Sequence, residues 1–356
     1  MLESLVKISR SFSPTHEMLN LISEIDEFKG KWNVLQNLSP ERLSALRHVA
    51  TIESVGSSTR IEGVRLTDRE IETLLSNLKQ YSFKSRDEEE VAGYAEAMEL
   101  VFESWQEITL TENHVKQLHS VLLKFSSKDI SHRGNYKHLS NNVVAFDSDG
   151  KEIGVVFETA SPFETPYEME KLISWLNQAV ENKTIHPLLI IAVFVVCFLA
   201  IHPFQDGNGR LSRILTTLLL LRLGYEYVPY ISLESIIEEN KELYYKALRQ
   251  TQKTLRAEKA DWEKWCLFFL KCLRKQKDKL SAKLEREKII TQILPKASSE
   301  ILKLLKDHDR LTIAELEALT NINRNTLKVR LRELVRDNFI DQQGKARSTW
   351  YVLKAK

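Results

Sequence analysis

The chain has 356 residues, 43% hydrophobic and 28% charged, with a net charge of +2. That length accommodates two or three domains and a sizeable core. The near-neutral balance excludes a polybasic binder as the whole molecule. The basic excess is confined to the C-terminal part: residues 271–290 carry 8 Lys/Arg against 3 Asp/Glu, and residues 296–356 carry 13 against 8. An anionic partner is therefore expected for that part alone. Eleven glycines and eight prolines, beside abundant Leu, Glu and Lys, point to a mainly helical chain. Cys197, Cys266 and Cys272 have no metal-ligand spacing and read as buried free thiols of a reducing compartment. The first residues lack a signal-peptide core, and the longest apolar run, Leu188–Ile201, is too short to span a bilayer. No membrane contact and a cytoplasmic location are expected.

Residues 1–50 read as helix, with Leu19, Leu21, Ile22 and Ile25 on one face before Asp26. Ser39-Pro40-Glu41 opens the next helix, with Ser as N-cap and Pro in the first turn. Leu43, Leu46, Val49 and Ile52 continue it at 3–4 spacing toward Ser54–Gly63, where Gly63 is placed to end the helix in a left-handed conformation. In isolation, Glu62 there is a solvated last-turn side chain. Thr67-Asp-Arg-Glu70 is a capping box, and Asp87–Leu100 and Thr111–Phe125 follow as helices. His114 and His119 on the latter read as surface or packing residues.

Residues 133–164 break the helical texture. Asn142–Phe146 and Ile153–Phe157 are strand-like and joined by Asp147-Ser-Asp-Gly-Lys151, a hairpin turn. An amphipathic helix, Glu168–Ala179, comes next. Then an apolar run leads into Ile201-His-Pro-Phe-Gln-Asp-Gly-Asn-Gly-Arg-Leu-Ser-Arg213 and out into a second apolar helix ending near Gly224. This dense polar stretch has a physical reading of its own. Glycines around Asn208 let a turn expose successive backbone N–H groups at a helix N-terminus, a ready anion site. Arg210 adds a guanidinium suited to phosphate. Asp206 is a hard oxygen ligand of the kind Mg²⁺ takes beside nucleotide phosphates. His202 is a candidate general base.

At these residues the chain resembles the Fic family, whose motif H-P-F-x-[D/E]-G-N-G-R-x-x-R it matches at every specified position. The resemblance implies transfer of AMP from ATP to a Ser, Thr or Tyr hydroxyl of a target protein and of the enzyme itself. His202 would be the base and Asp206 the Mg²⁺ ligand. Gly207, Asn208 and Gly209 would form the anion hole, the side chain of Asn208 included, and Arg210 and Arg213 the phosphate clamps. A branch of the family that phosphorylates instead has Lys where this chain has Gly209, so Gly209 argues for nucleotidyl transfer. Some members carry an inhibitory helix with the pattern [S/T]-x-x-x-E-[G/N], which Ser58, Glu62 and Gly63 match. Glu62 would then pair with Arg213 in place of the γ-phosphate; in some such members the same Glu also serves removal of AMP. The hairpin resembles the family's target-holding flap, and homodimers are common in the family.

Further on, Tyr244 and Tyr245 stand on a helix at 240–249, and the family often lines its adenine pocket with such a pair. Tyr245 is favoured for that wall, with Gln252 as a polar contact. Asp261–Leu270 reads as the closing helix of the catalytic domain and Lys271–Ile293 as a charged connector. Beyond Pro295, helices at Ser298–Lys306, Thr312–Leu319 and Arg324–Asn338, a polar turn and a strand at Ser348–Leu353 resemble a winged helix-turn-helix. Thr312 and Asn323 are its N-caps, Arg324, Lys328, Arg330 and Arg332 mark its third helix, and Lys345 and Arg347 its wing. DNA and a docking protein remain equal alternatives as its partner.

The expected fold is thus a mainly α Fic-type helical bundle with a small β-hairpin flap and a C-terminal winged helix-turn-helix domain. The expected divisions are an N-terminal helical region with the inhibitory helix at 1–105, a catalytic core at 106–270, a connector at 271–295 and the winged helix at 296–356. The functional expectation is a self-inhibited protein adenylyltransferase. The alternative is a DNA-binding regulator whose Fic domain senses nucleotide.

Overall fold

The computed structural model describes residues 12–35, 40–78, 82–141, 143–146, 152–257, 260–293, 295–308, 310–336, 339–344 and 349–354. The chain divides into two compact units, Met1–Leu280 and Ser281–Lys356.

In the first unit, α1 (His16–Leu35) and α2 (Pro40–Ile61) precede the short α3 (Asp68–Ser76) and the longer α4 (Arg86–Ser104) and α5 (Glu112–Leu122). A hairpin of β1 (Val143–Phe146) and β2 (Glu152–Phe157) is followed by α6 (Thr165–Asn182), α7 (Pro187–Ile201) and α8 (Asn208–Arg222). A 3-10 turn at Val228–Tyr230, α9 (Glu234–Glu239), α10 (Lys241–Gln252) and the first part of α11 (Glu263–Ile293) complete it.

The centre is α7. Its residues from Leu188 to Ile201 are all buried, which is what an all-apolar helix requires. It packs on α6, α8 and α10, and the Trp265 indole donates to the Ala192 carbonyl at 2.6 Å. The N-terminal end of α7 is tied to α1: His186 Nε2 meets Asp26 Oδ2 at 2.9 Å, and the Tyr225 hydroxyl donates to Asp26 Oδ1 at 2.7 Å. Cys197, Cys266 and Cys272 are free and buried. Among the described residues no helix is long and apolar enough to cross a membrane.

Local signals explain most helix ends. Thr67 forms the capping box with Glu70, and Ser85 and Thr111 cap α4 and α5. Gly63 has φ +108°, its N–H donates to Arg60 O, and the Val64 N–H donates to Thr59 O. This paired C-terminal motif stops α2 directly beyond Glu62. Four features differ from expectation. Helix α1 continues through Asp26 and past Gly30 to Leu35, because buried Phe28 and Trp32 extend its apolar face. Leu21, Ile22 and Ile25 are buried as expected, but Met18 takes the place of Leu19, which is half exposed. The expected closing helix and connector form one helix, since no Gly or Pro interrupts Glu263–Ile293. The short α9 lay unread between Gly224 and Asn240.

The hairpin strands pair antiparallel, with Val144 opposite Val155 and Ala145 opposite Gly154, and with irregularities on either side of that stretch. The turn expected at Asp147–Lys151 lies outside the described residues.

The second unit contains α12 (Lys296–Asp307), β3 (Leu311–Thr312), α13 (Ile313–Thr320), α14 (Arg324–Arg336), β4 (Ile340–Gln343) and β5 (Trp350–Leu353). The strands form an antiparallel sheet in the order β3-β5-β4. Ile301, Leu305, Leu316, Leu327, Leu331, Leu334 and Tyr351 are among its core residues. Thr312 caps α13 through a capping box with Glu315, and Asn323 Oδ1 accepts the Thr326 N–H at the start of α14. Only β3 and β4 went unread, being two and four residues long. This is a winged helix-turn-helix.

Candidate active site

The polar motif forms the turn between α7 and α8. His202 ends α7 with φ +54° and ψ +59°, a left-handed conformation that a side chain with a Cβ rarely adopts. Gly207, at φ +79°, caps α8. The N–H groups of Asn208, Gly209 and Arg210 occupy the first turn of α8 and have no intrahelical acceptor, so they and the helix dipole favour an anion there. Two expected donors are otherwise engaged. The Asn208 side chain is buried and bonds the Phe204 backbone reciprocally, accepting from its N–H at 2.9 Å and donating to its carbonyl at 2.7 Å. The Gly207 N–H donates to Asp206 Oδ1. The free donors therefore lie one residue further along than the motif suggested.

His202 Nδ1 lies 3.3 Å from the Leu199 carbonyl. A carbonyl only accepts, so Nδ1 carries the proton and Nε2 presents a lone pair. Burial, then the nearby Lys137 cation, push the imidazole down to about 4. It is neutral at pH 7, as a base must be.

Asp206 Oδ2 accepts from Arg86 at 2.7 Å, and Oδ1 from Arg210 at 3.1 Å. Glu90 bridges the same two guanidinium groups, at 2.7 Å to Arg86 and 2.8 Å to Arg210. Burial raises the Asp206 carboxyl, but the Arg210 charge, the Gly207 N–H and Arg86 outweigh it and hold the group below the usual carboxylate range. Its side chain keeps 36% of its surface exposed. Among the described residues no group of three or more His, Cys, Asp or Glu side chains could hold a metal. The donor set therefore fits Mg²⁺ bound through one carboxylate, with phosphate oxygens and water as its remaining ligands. Arg210 is 2% exposed and turned toward Glu90 and Asp206.

His119, expected to be a surface or packing residue, is buried beneath this turn. Its ring stacks on Phe204 at 3.8 Å. Nδ1 accepts the Gly134 N–H at 3.0 Å, which leaves the proton on Nε2 to donate to the Asp206 carbonyl at 3.1 Å. Burial holds it at about 4.

On the other side, α2 meets α8. Arg213 is 3% exposed. Its Nε donates to Ser58 Oγ at 2.7 Å, and its Nη2 donates to the Ser58 carbonyl at 2.9 Å and to Glu62 Oε1 at 2.7 Å. Nη1 has no hydrogen-bond partner among the described residues. A Cβ placed on Gly209 would fall against Glu62 Oε1. Gly209 and Arg213 are four apart on α8 and share a face, so the Glu62 carboxylate lies over the first turn of that helix. About a third of its side chain, 32%, stays accessible to solvent. Burial pushes Glu62 up, but the Arg213 charge and hydrogen bond, with Arg210 and His202 beyond, hold it below the ordinary value. Arg60 anchors the turn through Glu238 on α9 and Asp68 on α3, each at 2.8 Å.

Tyr244 is the core ring of the tyrosine pair, 3% exposed and 5.8 Å from Trp265. Tyr245 is half buried, and burial, then the Glu62 charge, raise its phenol. The Tyr244 hydroxyl also reaches Arg213, so both rings of the pair border the Glu62–Arg213 contact. Gln252 is buried at the last turn of α10.

These features can be set beside known proteins. Residues 109–220 match the Fic/DOC family model, which covers the whole motif and both helices around it. The chain carries a Fic/DOC domain. Residues 296–341 match a winged helix-turn-helix DNA-binding model. A protein adenylyltransferase Fic from Drosophila grimshawi is 27% identical over 251 residues, covering 68% of this chain and 48% of that protein. A probable protein adenylyltransferase of Aquifex aeolicus is 31% identical over 115 residues, 32% of this chain and 35% of that one. The chain thus spans less than half the length of these two curated relatives. A crystal structure of a Fic family protein from Desulfovibrio desulfuricans aligns over 97% of this chain and 98% of its own, with TM-score 0.63 and 24% identity, a likeness of fold. A Fic domain-containing signaling protein from Bacteroides thetaiotaomicron aligns over 72% and 94%, with TM-score 0.59 and 27% identity.

Proposed function

We propose that the protein transfers AMP from ATP to hydroxyl groups of a target protein and of itself, and that Glu62 holds this activity off. The observation that carries the reading is the placement of His202 Nε2, an unprotonated acceptor, at one end of a turn whose other end presents the free N–H groups of Asn208, Gly209 and Arg210. The hydroxyl oxygen attacks the α-phosphorus, its proton passes to His202, and the bond to pyrophosphate breaks. The backbone N–H groups stabilise the charge that develops on phosphate oxygens. Asp206 is the residue to hold Mg²⁺, which when bound offsets phosphate charge. Arg213 is suited to the terminal phosphate, and Tyr245 to the adenine face. The short β1–β2 hairpin, a two-stranded sheet, suits an extended acceptor segment by strand addition. Glu62 replaces an anionic phosphate on Arg213 and repels the triphosphate from the same space. Its carboxylate is also suited to orienting a water for removal of AMP.

The test is incubation with ATP labelled at the α-phosphate. Glu62→Gly is expected to label itself and a target in lysate, and His202→Ala in that background to abolish the label. ATP labelled at the γ-phosphate is expected to leave no label. Absence of α-label from every form rejects the reading.

A second function is favoured by the C-terminal unit. Arg324, Lys328 and Arg332 are exposed at four-residue spacing on one face of α14, the helix that a winged helix-turn-helix sets in the major groove. Arg330 is half buried and paired with Glu333 at 2.7 Å, whereas Arg324 is exposed and only loosely paired with Glu317 at 3.9 Å, so three of the four expected cations suit DNA. Lys345 and Arg347 lie outside the described residues. A gel shift by the full chain that weakens with salt and is lost in the triple alanine variant supports DNA contact; no shift at low salt rejects it.

A further inference from the structure

Lys137 is 2% exposed and has no ion-pair partner among the described residues. Its ammonium group donates to three neutral acceptors: Asn141 Oδ1 at 2.7 Å, Thr159 Oγ1 at 2.9 Å and the Ile201 carbonyl at 3.1 Å. A buried lysine without a carboxylate is unfavourable unless something is gained in its place. The gain is visible in what surrounds it. The Lys137 N–H donates to the Pro203 carbonyl at 2.9 Å. The Asn141 amide, itself fixed by Lys137, donates to the Phe204 carbonyl at 2.6 Å and reaches the His202 carbonyl at 3.4 Å. The four successive carbonyls of Ile201, His202, Pro203 and Phe204 are thus each held by Lys137 or Asn141. They flank the one motif residue with a Cβ that is forced into a left-handed conformation, which costs about 1–3 kcal/mol and persists only where its surroundings over-determine it.

We propose that Lys137 is a positioning residue for His202: with Asn141 it fixes the left-handed backbone of the base and sets a cation beside the imidazole. The inference rests on the reading of His202 as the base. Part of this hydrogen bonding does not require an ammonium group, since a neutral amide can donate to two of the three acceptors. A cation does more, because it disfavours a second positive charge on the ring. Other groups that face His202 are Glu62 from α2 and Asp206 from the motif turn, both of opposite sign, with the Leu199 carbonyl on Nδ1. Lys137 is the cation that opposes them. Burial lowers its own titration to about 8, so it is charged where the base works.

The experiment follows the His202 ring in the histidine-labelled full chain by NMR between pH 3.5 and 8, assigned by its loss in His202→Ala. Lys137→Gln keeps a donor and removes the charge. Lys137→Arg keeps the charge. The expected result is a rise of about one unit in the His202 midpoint for Gln and none for Arg, even if both variants lose similar thermal stability. An unmoved midpoint in Gln, or equal movement in both, overturns the proposal. Asn141→Asp sets an anion against the ammonium without touching Lys137 and is expected to move the midpoint the same way; it decides the matter if a Lys137 variant does not fold. AMP transfer across pH in the Glu62→Gly background separates the two readings. If His202 shifts as expected but no variant transfers AMP, the reaction assignment fails and the positioning role stands. If transfer proceeds and the midpoint is unmoved, the positioning role fails alone.

Discussion

Glu62 and Arg213 are joined at 2.7 Å across 151 positions of sequence, and the same carboxylate lies against Gly209 at the mouth of the anion site. On the proposed reading, one side chain engages the cation meant for the terminal phosphate and fills part of the space a triphosphate needs. Glu62→Gly leaves Arg213 with Ser58 and the Tyr244 hydroxyl but without its carboxylate. A hydrogen bond to a charged group contributes about 1.5–3 kcal/mol, so ATP affinity is expected to rise by about tenfold to a hundredfold. Calorimetric titration with a non-hydrolysable ATP analogue measures it. An affinity equal to that of the parent chain removes Glu62 as the inhibitor. Because Arg213 holds Glu62 below the ordinary carboxylate value, the proposed inhibition is expected to persist to mildly acidic pH and to weaken only as pH falls through that depressed midpoint.

The two imidazoles of the site make the fold sensitive to acid. His119 and His202 both titrate near 4, against an ordinary value of 6.5. Between those values the unfolded chain binds protons that the folded chain refuses, so stability falls with pH across that window. For the fully buried His119, a difference of about 2.5 units corresponds to roughly 3 kcal/mol. His119→Gln offers an amide donor for the Asp206 carbonyl without titrating. Urea unfolding at pH 7 and pH 4.5 is expected to show a smaller acid loss in Gln than in the parent. Equal losses would mean that His119 is not what the acid attacks.

Gly93 sets how closely α4 and α5 approach. A Cβ there would run into the backbone carbonyl of Leu122, which cannot rotate away. Gly93→Ala should therefore push α5 off α4 and cost about 1–3 kcal/mol, as overpacking does. Since α4 carries Arg86 and Glu90 and α5 carries His119, motif geometry should suffer along with stability. A thermal melt and an ATP titration of the same sample are expected to fall together. A variant with unchanged melting temperature would show that the two helices have room to spare.

These variants divide along the line between what the amino-acid order made legible and what it did not. The turn from His202 to Arg213 was readable because its chemistry is contiguous: base, carboxylate, glycines and arginines follow one another within a dozen positions. Ser58, Glu62 and Gly63 were readable as a pattern, and the glycine also by the need for a left-handed residue after α2. His119, Lys137, Arg86 and Glu90 carried no such mark. Each meets the motif across 64 or more positions, and each sits in a context that reads as ordinary surface. A faint signal existed for Lys137, a lysine within the polar run Asn135–Asn142, where little apolar surface could bury it locally. Asn208 was misread in detail because a side-chain amide beside glycines looks free, whereas the turn needs it for the Phe204 backbone.

Arg86 stands between Asp206 and any cation. It donates to Asp206 Oδ2 at 2.7 Å and is itself held by Glu90 at 2.7 Å, so a guanidinium group already occupies Oδ2. A divalent ion must displace that group or share the oxygen with it, and the fixed positive charge opposes the approach of another. Arg86→Gln keeps a neutral donor near Asp206 and removes the charge. Glu90 retains Arg210 as its partner, and Asp206 retains Arg210 and the Gly207 N–H. Such a change is expected to tighten binding of Mn²⁺, a spectroscopic substitute for Mg²⁺, by about tenfold, corresponding to roughly 1.4 kcal/mol. Electron paramagnetic resonance titration of the ion against the full chain with a non-hydrolysable ATP analogue reads this without relying on turnover. The Asp206→Asn variant should lose the site in the same assay. If Arg86→Gln binds Mn²⁺ no better than the parent while Asp206→Asn loses it, Arg86 shares the oxygen without competing for it, and its contact with Asp206 serves only to orient the carboxylate.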